Sequence, residues 1–351
     1  MSDLAQFLPW QRETASAWLG RRERFAHAWL IHGLPGIGKR QFALAAAGSL
    51  LCEAPVNGLA CGHCAACQWL TSGTHPDLRR IRPDAMALEE GVGIESADEA
   101  DAASPATKKP PSREIRVEQL RGLSPWFNTA THRGGWRVAV LYPARAMNAI
   151  SANALLKMLE EPPEHTVFLL VADAPDRLLP TLVSRCRRLP LPVPGPELCL
   201  SWLQAQGLPQ AELWLAAAGG APLLALQLSQ SRAEPCPAWL ASLLSPLAAA
   251  KASDVGAVAD QLEKLPPDVW IDALQRLFVD LMLASANAPA RYFPGLASET
   301  LRVAQRAHPA RLADTAKWLA QQRAVAAHPL NAKLFVHSAL QRVVLACASA
   351  A

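Results

Sequence analysis

Three short stretches of the chain carry residues able to do chemistry. The first is GLPGIGK, in which Gly33, Gly36, Gly38 and Lys39 have the spacing of a phosphate-binding loop. Glycines let successive backbone N–H groups converge on an anion, and the lysine reaches a β- or γ-phosphate. The next residue is Arg40, where such a loop needs a Ser or Thr hydroxyl to hold Mg²⁺. A guanidinium has no acceptor and brings its own positive charge. The loop can still cradle ATP, but hydrolysis is not expected. A hydrolase also needs an acidic pair at the end of a neighbouring strand, and VAVLYPAR offers Tyr142 and Pro143 there. Asp173, after VFLLVA, is a candidate metal ligand without a companion acid, or a plain strand-end turn residue.

The second stretch is C-x₈-C-x₂-C-x₂-C, made of Cys52, Cys61, Cys64 and Cys67. Each C-x₂-C spacing can turn two thiolates toward one centre, and four sulfurs without an open position describe a structural zinc site. Asn57, Gly58 and Gly62 supply the turns this requires. His63 or His75 could replace one sulfur, and an iron–sulfur cluster uses the same ligand set. Four unligated core thiols are the third reading, which the polar, glycine-rich CGHCAAC disfavours.

The third stretch is Ser184-Arg185-Cys186, which closes the helical DRLLPTLV. An arginine at that edge could reach a neighbouring subunit's γ-phosphate as an arginine finger. From the residues alone an ordinary surface arginine is the alternative, and Arg187 and Arg188 compete for the role.

Elements that could position these residues are visible as apolar runs. AWLIHG (28–33) reads as a buried strand entering the glycine loop, and RQFALAAAGSLL as the helix leaving it. WRVAVLY (136–142) and TVFLLVA (166–172) read as parallel strands, separated by a helix NAISANALLKMLEE that stops at Pro162-Pro163. The alternation predicts an α/β P-loop domain with a parallel sheet. Residues 84–104 hold seven acidic side chains and no Lys or Arg, so about 85–113 reads as a flexible surface insertion. After the proline-rich 190–197 the pattern is helical to the end. In PDVWIDALQRLFVDL, Val269, Trp270, Ala273, Leu274, Leu277, Phe278 and Leu281 share one face, with Asp268 placed to cap the start. Similar patterning recurs around 311–326 and 333–347.

The 351 residues, 51% apolar and 18% charged, predict two or three globular domains. A net charge of +4 permits nucleic-acid contact without arguing for it. No basic and apolar leader opens the sequence, and no apolar run approaches the roughly 18 residues of a membrane span. A cytoplasmic protein without a membrane partner is expected. In that compartment clustered cysteines favour a metal over disulfides.

HGLPGIGK, the CGHCAAC insertion after the first helix, GTHPD (73–77), NALLKMLEEPPEHTVFLL (153–170) and TLVSRC (181–186) together resemble the bacterial DNA polymerase III clamp loader of the AAA+ superfamily. The resemblance is nearest its delta-prime branch. It covers about 1–195 through ordered motifs, and the helical remainder only by length and type. It implies an AAA+ domain over 1–192 with a zinc module at 52–67, a helical lid over 193–240 and a helical collar over 241–351. Motor relatives would carry Thr or Ser at Arg40, Asp-Glu at Tyr142-Pro143, a Thr near Asp173 and an Arg near Leu223; all four are missing here. Arg185 is kept, and in the family it is the finger donated to the adjacent subunit.

The resemblance thus implies a non-motor subunit that helps load the beta clamp onto primed DNA. Its partners would be gamma/tau and delta in a hetero-pentamer, with clamp and DNA met through the complex at the replisome. It would belong to a DNA polymerase holoenzyme without polymerase or ATPase activity of its own. Two other classes stand beside this one. An autonomous ATPase remodelling nucleic acid would need the missing metal ligands, and a zinc-dependent DNA-binding module would need a stronger basic face.

Overall fold

The computed structural model describes residues 4–21, 25–91, 110–132, 134–231, 234–326 and 331–348. Its contacts divide the chain into two compact units, residues 1–198 and 199–351.

The first unit is built on five parallel strands: β1 (Ala28–His32), β2 (Leu78–Ile81), β3 (Arg137–Leu141), β4 (Thr166–Ala172) and β5 (Arg187–Pro190), in the order β2-β3-β4-β1-β5. β3 and β4 are buried at every position, as central parallel strands covered on both faces must be. This is the α/β P-loop layer that the apolar runs predict. β2 (LRRI) and β5 (RRLP) carry arginines and have no apolar period, so they escape a hydropathy reading. Both are edge strands, where charged side chains are tolerated and discourage further pairing. β4 is therefore not the last strand. Arg187 and Arg188, which the sequence groups with Arg185, are β5 residues, and Arg187 lies over the Trp29 ring at 5.4 Å.

Helices α1 (Arg12–Leu19), α2 (Lys39–Leu51), α3 (Ala65–Ser72), α4 (Asp84–Glu89), α5 (Val117–Arg121), α6 (Leu123–Phe127), α7 (Ala149–Glu160) and α8 (Pro180–Ser184) complete this unit. Ala43, Ala45, Ala46 and Ala47 keep α2 thin enough to lie against the sheet while α1 and α3 pack against it as well. α7 starts at Asn148, whose side chain accepts the Ser151 N–H. It packs Leu155 and Leu159 into the core below the sheet, together with Leu182 and Cys186. α4 occupies the leading edge of the insertion expected at 85–113, so that segment begins as ordered helix. Its residues 92–109 lie outside the described residues.

Among its described residues the second unit has helices and no strand. α9 (Pro196–Ala205) leads into it, followed by α10 (Ala211–Ala217), α11 (Pro222–Gln230), α12 (Ala238–Ala248), α13 (Val255–Leu262), α14 (Pro267–Ser285), α15 (Ala297–Ala304), α16 (Pro309–Val325) and α17 (Ala332–Cys347). Leu274, Leu277, Phe278 and Leu281 of α14 are fully buried in one core shared with α12, α13, α15, α16 and α17. Two expectations for α14 fail. Pro267 starts the helix, so Asp268 falls inside the first turn and makes no cap hydrogen bond; Val269, in the same turn, is 52% exposed. Asp280 is wholly buried instead, and its carboxylate accepts the backbone N–H groups of Arg291, Tyr292 and Phe293.

One glycine fixes how the sheet ends. Gly33 follows β1, and a Cβ built there would lie 2.6 Å from the Leu191 carbonyl oxygen beyond β5. That atom is backbone and cannot swing aside. A Gly33→Ala variant is expected to lose about 2 kcal/mol of stability, the usual cost of forcing a methyl into packed backbone. Urea denaturation checks this, and an unchanged midpoint would remove the constraint.

Candidate nucleotide loop, cysteine cluster and interface arginine

The glycine loop sits where the sequence places it, between β1 and α2. Gly36 and Gly38 take φ of 79° and 88°, and Gly38 is the left-handed N-cap of α2. Lys39 follows and is 5% exposed. Its Nζ donates to the Leu34 carbonyl at 2.6 Å and meets Asp173 Oδ1 at 2.7 Å. Asp173 thus serves as counter-ion to the loop lysine. From the other side the loop is held by a 3₁₀ turn at Pro9–Gln11 that the sequence reading missed. The buried Gln11 amide donates to the Ile37 and Gly38 carbonyls, and Trp10 Nε1 also donates to Ile37. At the loop entrance His32 titrates below its ordinary value, because of burial first and then the positive charge of Arg188 and Lys39.

The two positions that depart from a hydrolase are joined to each other. Arg40 Nη1 lies 3.1 Å from Glu90 Oε1, and the Tyr142 hydroxyl donates to Glu90 Oε2 at 3.0 Å. Arg82 Nε adds a third contact at 2.8 Å, and the Arg40 guanidinium stands 6.0 Å from the Tyr142 ring centroid. Burial, with Glu90 adding to it against the pull of Arg82, pushes the Tyr142 phenol well above its usual range, so it stays a donor. A hydrolase would hold Mg²⁺ between the loop hydroxyl and the strand-end acids. Here a guanidinium, a carboxylate and a phenol fill that part of the site. Glu90 carried no sequence signal, since it reads as one more acid in an acidic run.

The four cysteines converge after α2. Cys52 Sγ is 3.8 Å from Cys64 Sγ, Cys61 Sγ is 4.0 Å from Cys67 Sγ, and all four sulfurs lie within 4.8 Å of one another. Four thiolates about 2.3 Å from a tetrahedral ion stand about 3.8 Å apart, so the donor set fits one. The Cys61 and Cys64 N–H groups donate to Cys52 and Cys61 sulfurs, at 3.2 and 3.4 Å. The turns come from Asn57, Gly58 and Gly62, all at positive φ. Burial pushes the Cys52 and Cys67 thiols up. At Cys64 burial also acts upward, but N–H groups of Cys67 and Glu53 and the Cys67 and Cys61 side chains outweigh it, to about 6. The cluster can bind a metal ion, and a cation would draw off the remaining thiol protons. Neither histidine belongs to the set: His63 is exposed beside the Cys61 carbonyl, and buried His75 accepts the Asp77 N–H.

Arg185 is the C-cap residue of α8 and is exposed. Its neighbour Cys186 is buried in the core below the sheet, where burial pushes the thiol up to about 12. The loop lies at the start of α2, the cysteines begin at its end, and Arg185 follows α8.

A family model described as DNA polymerase III, delta subunit matches residues 18–194. DNA polymerase III subunit delta' of Pseudomonas aeruginosa is 43% identical over 230 residues, 64% of this chain and 62% of that protein. The chain therefore spans about three-fifths of that relative's length. DNA polymerase III subunit tau of Escherichia coli is 34% identical over 163 residues, 46% of this chain and 21% of that one. Among solved structures, a DNA polymerase III gamma subunit-related protein from Thermotoga maritima superposes with a TM-score of 0.43 at 15% identity, covering 96% of this chain and 99% of that one.

The Lys39–Asp173 pair generates a test. Asp173→Asn leaves the buried ammonium with the Leu34 carbonyl and a neutral amide. Because Asp173 is 35% exposed, the expected loss is about 1–2 kcal/mol, below that of a fully buried pair. A double-mutant cycle with Lys39→Met reads the pair directly: a coupling energy near zero would mean the two charges do not depend on each other.

Proposed function

The chain belongs to the family described as DNA polymerase III, delta subunit, and from that premise we propose that it is a non-motor, delta-prime-type subunit of a sliding-clamp loader. The observation that carries this reading is the internal filling of the nucleotide site. Lys39 is matched by Asp173, and Arg40 and Tyr142 are matched through Glu90. A subunit with its own metal-handling positions filled by side chains does not turn over ATP. It can still serve a neighbour, and Arg185, exposed at the end of α8, is the group suited to reach another subunit's γ-phosphate.

In this reading residues 1–192 form the AAA+ domain, 193–240 the lid and 241–351 the collar that carries assembly. Gamma/tau and delta subunits are the partners, the beta clamp and primed DNA are met through the complex, and the location is the cytoplasmic replisome. Names of the delta' and tau relatives as DNA polymerase III subunits support that assignment. Cys52, Cys61, Cys64 and Cys67 would hold a structural Zn²⁺, which supplies a tetrahedral cross-link and no open coordination position.

Three experiments test this. In a loader reconstituted with gamma/tau and delta, Arg185→Ala is expected to leave assembly intact and lower DNA-stimulated ATPase. A finger is worth on the order of 10³-fold in kcat at the site it serves, so that site's share of turnover should vanish; unchanged ATPase removes the role. The isolated chain should show no Mg²⁺-dependent turnover. Metal analysis should find one zinc per chain, reduced in Cys61→Ser, and chelation should lower the Tm. Well under one zinc would sink the zinc assignment.

A further inference from the structure

The Arg185 guanidinium is tied to its own unit at two points. Nη2 meets Glu160 Oε1 at 2.5 Å, and Nη1 donates to the Thr181 carbonyl at 3.1 Å. Glu160 is the last residue of α7 and Thr181 the second of α8. The backbones bearing these partners are fixed from below. Leu159, Leu182 and Cys186 are buried in the same core, and Pro162 and Pro163 follow the end of α7. Arg185 and Glu160 themselves face solvent, at 36% and 48% exposure.

An ion pair this exposed contributes little to stability. Its effect is on where the guanidinium points. A free arginine carries about 2 kcal/mol of rotamer entropy that must be lost when it docks on an anion. Two anchors remove part of that loss beforehand. Of the five N–H donors on a guanidinium, two are engaged, and the other three have no partner among the described residues and can meet an oxyanion.

We propose that Glu160 is a positioning residue for Arg185, holding the guanidinium against α8 with its free donors presented to the phosphate of a neighbouring subunit's nucleotide. This rests on the reading of Arg185 as a finger acting in trans. Glu160 forms no bond to substrate and moves no proton. It acts only through Arg185. Glu160→Gln keeps an oxygen acceptor at the same place, whereas Glu160→Ala removes it.

The test is DNA-stimulated ATPase of the reconstituted loader, with clamp present, for wild type, Glu160→Ala, Glu160→Gln, Arg185→Ala and the double Glu160→Ala/Arg185→Ala. Glu160→Ala is expected to lower kcat about three- to tenfold with KM for ATP unchanged, as misplacement of one transition-state group does. Glu160→Gln should recover most of that loss, and the double variant should match Arg185→Ala alone. Normal Glu160→Ala activity beside a damaged Arg185→Ala would overturn the positioning role and leave the finger standing. So would a Glu160→Gln as slow as Glu160→Ala, or a double variant slower than Arg185→Ala. Normal Arg185→Ala activity removes the finger and this proposal together.

Discussion

A phosphate loop concentrates positive potential, because converging N–H groups, a helix N-terminus and an ammonium all point at one spot. That potential needs negative charge, and a buried ammonium without it is among the costlier things a fold can contain. In this chain Asp173 meets the need from the end of β4, one strand away from the loop that follows β1. The pair bridges two neighbouring strand ends. It also supplies negative charge to the loop from within the protein. Gln11 and Trp10 close the loop from the opposite direction by taking the Ile37 and Gly38 carbonyls. The loop is thereby ordered by its own chain.

The same logic governs the metal position. The strand order brings the start of α2 and the end of β3 near each other whatever residues they hold. In a hydrolase those ends share Mg²⁺. Here Arg40 brings a fixed positive charge to the region, and Glu90 answers it while accepting the Tyr142 hydroxyl. Arg40 alone would be a repelling charge beside Lys39. Paired with Glu90 it ties α2 to the residue just past α4. The replacements at 40 and 142 are consistent as a set, since each finds its partner through one carboxylate.

What could be read from the sequence follows from what burial imposes. β1, β3 and β4 were legible because central parallel strands must be apolar, and α2 because its alanine- and leucine-rich run has no breaker before Gly48. β2 and β5 were not, because an edge strand carries no such constraint and LRRI and RRLP follow none. The convergence of the four cysteines was legible, since a set able to bind one ion needs short spacings along the chain itself. The loop was legible too, but its partners were not. Asp173 and Glu90 lie 134 and 50 residues from the side chains they neutralise, and no local pattern marks a charge that acts at that distance. Asp268 shows the reverse failure: an apt cap residue falls two positions past the N-cap, Pro266, because Pro267 prefers the first helical site.

The distribution of partners also separates the two cationic groups that matter most. Lys39 is sealed, with both its contacts inside the loop region. Arg185 is anchored by one exposed carboxylate and one carbonyl, and its remaining donors have no partner among the described residues. A buried pair resists exchange, because each partner would have to be rehydrated before meeting another ion. An exposed pair exchanges readily, because water already screens it. Exchange is therefore harder at Lys39, whose own side chain is buried although Asp173 is 35% exposed, than at Arg185, where both partners face water. The unit thus satisfies its loop lysine within, while Arg185, like the exposed Arg40 and Arg116, holds a carboxylate in a pair that water already reaches.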